Sequence, residues 1–116
     1  MDEKIIYYSC ERKDIIDLVP TFCKRILDCG CGAGVLGLKK RNDECYIVGI
    51  ERNSDAAIMA KDRLNEVFIG DMEQITLPFR RDYFDCIIYG DILEHLVDPW
   101  RTLKKHVELL CLGGWL

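Results

Sequence analysis

Four glycines in eight residues, Gly30, Gly32, Gly34 and Gly37, follow the short apolar run Ile26-Leu27 and Asp28. Without a Cβ, the backbone at such positions turns sharply and approaches a ligand closely. Where the turn leaves a strand and enters a helix, the helix N-terminus points at the same place. Gly32, Gly34 and Gly37 satisfy G-x-G-x-x-G, and Glu51 follows about twenty residues on, as in a dinucleotide fingerprint. A nicotinamide or flavin enzyme and a turn without any ligand both stay open on spacing alone.

The rest of the chain alternates strand and helix. Glu11 to Leu18 reads as a modest helix stopped by Pro20. Arg25 to Asp28 reads as a strand, Val35 to Lys40 as a helix, and the continuous apolar Cys45 to Ile50 as a strand covered on both faces. Ser54 is the expected cap of a helix from Asp55 to about Asn65. Glu66 to Ile69 and Asp85 to Tyr89 are the third and fourth strands. Asp98-Pro99 opens a helix carrying Trp100, Leu103, Val107 and Leu110 in its core stripe, stopped by Gly113-Gly114. Trp115-Leu116 begins a fifth strand. Strands interleaved with helices imply right-handed crossovers, so the expected fold is α/β: a Rossmann-like open parallel sheet, helices on both faces, as one unit over residues 1–116.

Composition narrows the function. The 116 residues carry a formal net charge of −4, a poor match to the phosphate backbone of nucleic acid. Arg80-Arg81 and Lys39-Lys40-Arg41 read as solvated loop and helix ends. No apolar run is long enough to span a membrane, and the acidic Met1-Asp2-Glu3-Lys4 start is unlike a signal peptide. The seven cysteines lack both disulfide-framework and zinc-ligand spacing, so they read as small buried side chains in a reducing cytoplasm. No metal is expected.

Electrostatics separates the ligands. A pyrophosphate is repelled by acids beside the glycine turn, and Asp28 sits two residues before its first glycine. S-adenosylmethionine has no phosphate but does carry a sulfonium and an ammonium, which Asp28 suits. A turn residue or cap is the plainer role for Asp28. Acids also close the other strands: Glu51 can accept from both hydroxyls of a ribose, Asp71 from an adenine amino group, and Asp91 follows the fourth strand. Ligands of open parallel sheets bind at the carboxyl ends of the strands, so these acids mark one crevice.

These residues resemble the class I S-adenosylmethionine-dependent methyltransferases, near the small-molecule group often labelled type 11 or type 12. The resemblance runs from about Arg25 onward, through Leu27-Asp28-Cys29-Gly30-Cys31-Gly32-Ala33-Gly34, Val48-Gly49-Ile50-Glu51-Arg52-Asn53, Gly70-Asp71-Met72 and Phe84-Asp85 to Leu96. It closes with Leu109 to Gly114. The resemblance implies that Gly30, Gly32 and Gly34 line the methionine part of S-adenosylmethionine, with Asp28 near its amino group. It implies Glu51, with Arg52 beside it, on the ribose, Asp71 with Met72 beside the adenine, and Gly90 with Asp91 at the sulfonium end. Tyr7, Tyr8 and Arg12 are expected over the methionine carboxylate.

The implied reaction is direct displacement of a methyl group by a small-molecule acceptor. His95, which titrates near neutrality, is the natural general base, with Asp91 nearby; a capping or packing histidine is the alternative. Asp91, Glu94 and His95 have the spacing of metal ligands, but the same residues also cap and pair locally. His106 is expected at an exposed or rim position. The family sheet has seven strands and this sequence ends at Leu116, so a fragment, or an incomplete sheet edge that pairs as a homodimer, is expected. A non-catalytic cofactor-binding piece is the non-enzyme alternative.

Overall fold

The computed structural model describes residues 23–40, 45–89 and 96–115. The expected helix at Glu11–Leu18, and Tyr7, Tyr8 and Arg12, lie outside them. Five strands, β1 (Arg25–Cys29), β2 (Tyr46–Glu51), β3 (Glu66–Ile69), β4 (Phe84–Tyr89) and β5 (Leu110–Trp115), alternate with helices α1 (Val35–Lys40), α2 (Ser54–Lys61) and α3 (Pro99–Val107). The sheet order is β3-β2-β1-β4-β5 and every pairing is parallel. This is the Rossmann-like α/β sheet that the alternation predicts.

The central strands bury both faces, which is why they read as continuous apolar runs. On one face Ile26, Ile47 and Ile88 pack with Leu36, Ala60 and Leu64 of the α1–α2 side. On the other, Leu27, Val48, Ile50, Ile87 and Tyr89 pack with Leu103 of α3. The chain leaves β1 toward the first face and β4 toward the second, so the order reverses between these neighbouring strands. A crevice opens at such a switch point, at the carboxyl ends.

Several local expectations are corrected. Asn53, not Ser54, caps α2, its Oδ1 accepting from the Ala56 N–H at 2.9 Å. That helix stops at Lys61 because Asn65 is drawn into pairing with β2: its N–H donates to the Ile47 carbonyl at 3.0 Å and its Oδ1 accepts from the Ile47 N–H at 2.7 Å. Gly113-Gly114 do not stop a helix; α3 ends at Val107, and both glycines run inside β5, which pairs with β4 through Phe84↔Leu110 and Cys86↔Trp115. Trp100 is 69 % exposed, because the face of α3 that meets the sheet is Thr102, Leu103 and His106. His106, expected at the rim, is therefore fully buried.

The expected start of α3 at Asp98-Pro99 stands: Asp98 Oδ1 accepts from the Arg101 N–H at 3.1 Å and Pro99 fills the first turn. Asp98→Ala should lower the unfolding free energy by about 1 kcal/mol in urea titration, the usual cost of losing an acidic N-cap.

Candidate active site

The crevice begins with the turn after β1. Gly30, Gly32 and Gly34 have φ of 75°, 58° and 83°, the left-handed region that costs side-chain-bearing residues about 1–2 kcal/mol each. The Gly30 and Cys31 N–H groups both donate to the Ile50 carbonyl, at 2.8 and 3.1 Å, folding the turn over the end of β2. Glu51 then locks it: Oε1 accepts from the Gly32 N–H at 2.7 Å and Oε2 from the Asn53 N–H at 2.9 Å. Each oxygen uses one of its two acceptor directions this way, leaving the carboxylate able to accept from a ligand's hydroxyls.

The later glycines serve packing. A Cβ on Gly34 would stand 3.0 Å from Ala60 Cα, and one on Gly37 2.2 Å from the Arg63 carbonyl oxygen. The Arg63 guanidinium returns a bond to the Ala33 carbonyl at 3.2 Å. The turn is thus seated on the carboxyl end of α2.

A cleft opens beside it, lined by Gly30, Glu51, Arg52, Gly70, Asp71 and Met72, with Ile50 and Leu96. Five of the residues expected at the cofactor, Gly30, Glu51, Arg52, Asp71 and Met72, therefore meet in one place. Gly32 joins through Glu51. Asp28 is fully buried beneath the turn, between Gly49 and Ile88 in the neighbouring strands. Gly90, Asp91, Glu94 and His95 lie outside the described residues.

The opposite wall is the segment after β3. Asp71 folds it: Oδ1 accepts from the Glu73 N–H at 2.9 Å, and the Asp71 carbonyl accepts from Gln74 and Ile75. This segment is tied to α3 and to the two residues that lead into it. Glu73 accepts from the Val97 and Asp98 N–H groups at 3.1 and 2.8 Å, and the Lys105 ammonium donates to the Ile75 carbonyl. Sequence reasoning missed Glu73; an acid three residues after a strand-ending glycine was its only signal. Ile50 and Leu96 were missed as lining residues because apolar side chains at strand and loop ends look like any core residue.

Under the crevice floor, on the α3 side, lies a buried polar group. The Tyr89 hydroxyl is 2.6 Å from His106 Nδ1, the two rings stack with centroids 5.7 Å apart, and Cys29 Sγ is 3.9 Å from the same nitrogen. Burial pushes the Tyr89 phenol well above its usual range. Burial, with the Lys105 charge adding to it, lowers the His106 imidazole to about 4.

The chemistry fits a cation-bearing nucleoside better than a dinucleotide. Two carboxylate residues, Glu51 and Asp71, and one guanidinium residue, Arg52, line the cleft. The Gly32 N–H, a donor that a pyrophosphate would need, is held by Glu51. Among the described residues no group of three or more His, Cys, Asp or Glu is arranged to hold a metal ion, and no helix is long and apolar enough to cross a membrane.

A parallel sheet with an acid-lined glycine turn at its switch point defines a nucleoside-cofactor-binding α/β domain. The chain belongs to the methyltransferase-domain family, whose model matches residues 27–116, the class I S-adenosylmethionine-dependent enzymes its motifs resemble. It is 30 % identical over 101 residues to a ubiquinone biosynthesis O-methyltransferase of Nitrosomonas europaea, covering 80 % of this chain and 42 % of that protein. The Coxiella burnetii protein of the same name is 29 % identical over 99 residues, with the same coverages. The chain thus spans less than half the length of these curated relatives. Among solved structures, a SAM-dependent methyltransferase of Thermotoga maritima, described as a possible histamine N-methyltransferase, superposes with a TM-score of 0.68 at 25 % identity, over 88 % of this chain and 45 % of its own. The [4+2]-cyclase SpnF shares the fold with a TM-score of 0.72 at 24 % identity, over 87 % of this chain and 40 % of its own.

Proposed function

We propose that this chain binds S-adenosylmethionine in the cleft and directs methyl transfer to a small-molecule acceptor. That Glu51 and Asp71 line one cleft beside the glycine turn, with Gly30, carries this reading. Glu51 accepts from the ribose hydroxyls while holding the turn, and Arg52 flanks that end. Asp71 accepts from the adenine amino group, and Met72 packs against the ring. Gly30, Gly32 and Gly34 shape the turn that receives the methionine part, and Asp28 supplies negative charge beneath its ammonium group. Gly90 and Asp91 border the sulfonium end.

When bound, the cofactor supplies a methyl group already activated on a cationic sulfur. The chain's residues orient donor and acceptor and exclude water, an effect worth up to ~7–11 kcal/mol in favourable cases. The O-methyltransferase relatives support an oxygen nucleophile, for which His95 takes the proton as general base.

Calorimetric titration with S-adenosylmethionine, S-adenosylhomocysteine and NAD tests the cofactor. We expect binding of the first two; NAD binding with silence toward both overturns the reading. Glu51→Ala should weaken S-adenosylhomocysteine by ~1.5–3 kcal/mol, about 10- to 150-fold, the range for a charged hydrogen bond. Wild-type affinity in the folded variant removes Glu51 from the ribose.

A further inference from the structure

We propose that His106 is a positioning residue for the cofactor cleft, acting from α3 through Tyr89. This rests on the cofactor reading above.

The sheet order places the ends of β1 and β4 side by side, with Cys29 paired in register to Tyr89. Each is the last residue of its strand, Cys29 immediately before Gly30 of the cleft and Tyr89 immediately before Gly90 and Asp91. Both belong to the cluster on the α3 side. His106, near the end of α3, reaches the same point and meets them with a short Tyr89 contact at Nδ1 and the Cys29 sulfur at 3.9 Å.

Packing alone does not explain a histidine here. Its Nε2 is buried without a hydrogen-bond partner among the described residues, a cost that a leucine or phenylalanine would avoid. What the imidazole adds is direction. A hydrogen bond tolerates little change in distance or angle, so it sets the Tyr89 phenol in one orientation where an apolar contact allows several. Tyr89 is followed in the chain by Gly90 and Asp91, the residues proposed to meet the sulfonium end. Any slide of its ring also presses on the paired Cys29, and through it on Gly30. The position of α3 is thereby transmitted to both sides of the switch point.

The test measures S-adenosylhomocysteine affinity by calorimetry, with thermal unfolding in parallel, for wild type, His106→Leu, His106→Asn and Tyr89→Phe. Asparagine places a hydrogen-bonding atom near the position of Nδ1 and so keeps the Tyr89 contact. We expect His106→Leu and Tyr89→Phe each to weaken binding more than threefold and His106→Asn to stay within threefold of wild type. Threefold or less in both cut variants overturns the proposal, as does an asparagine variant as weak as the leucine one, since a purely structural role predicts no such rescue. If His106→Leu does not fold, Tyr89→Phe, which loses only a hydroxyl, decides by the same threshold. A wild-type chain that fails to bind S-adenosylhomocysteine overturns the cofactor reading and this inference together, an outcome distinct from equal binding by all four proteins.

Discussion

Gly37→Ala should lower the thermal unfolding midpoint by at least about 10 °C, read by circular dichroism. The added methyl carbon would stand 2.2 Å from the Arg63 carbonyl oxygen and 2.8 Å from its carbon. A side chain in the way could rotate; this obstacle is main chain, held by the Arg63 N–H bond to the Ala60 carbonyl at 2.9 Å. Relief therefore requires α1 to move off α2, and overpacking of this kind costs ~3 kcal/mol, the upper end of its usual range. Gly32→Ala makes the contrast. Nothing lies within 4 Å of the added carbon, and only its φ of +58° resists, so the cost should be ~1–2 kcal/mol. Equal midpoints for the two variants would contradict the packing described for α1.

Acid should destabilise the fold through His106. The unfolded chain protonates this imidazole near pH 6.5, whereas in the folded protein burial first, and the Lys105 charge second, hold it neutral down to about 4. Between those values the unfolded state binds one more proton than the folded state, so stability falls as pH falls. The contribution is complete above pH 6.5 and is lost at ~1.4 kcal/mol per pH unit, about 3 kcal/mol by pH 4. Urea midpoints at pH 7 and pH 5 should converge in His106→Leu relative to wild type. An identical pH slope in the two proteins would place the titration elsewhere.

The sheet was legible because its signals are local. Continuous apolar, β-branched runs such as Cys45–Ile50, closed by an acid, read as strands covered on both faces. The end of α3 was not, because Trp100, Leu103, Val107 and Leu110 keep helical spacing beyond the point where pairing with β4 takes over. That pairing joins residues far apart in the chain, such as Phe84 and Leu110, and no local pattern records it. For the same reason the buried face of α3 was misassigned: Thr102 and His106 meet the sheet, and both look like surface residues when read alone. The cleft followed from acids at strand ends, since an open parallel sheet gathers those ends on one edge. The anchoring by Glu73 and the seat of Tyr89 on His106 depend on which loop folds back onto which helix, and composition does not encode that.

Glu51 bonds to the Gly32 and Asn53 amides within the fold itself, and this bears on what a small molecule must order on entering. Much of the disorder that a glycine-rich segment would otherwise surrender on association has already been given up during folding. An incoming nucleoside thus meets a glycine turn already held by Glu51, so ordering that turn should add little to the cost of its association.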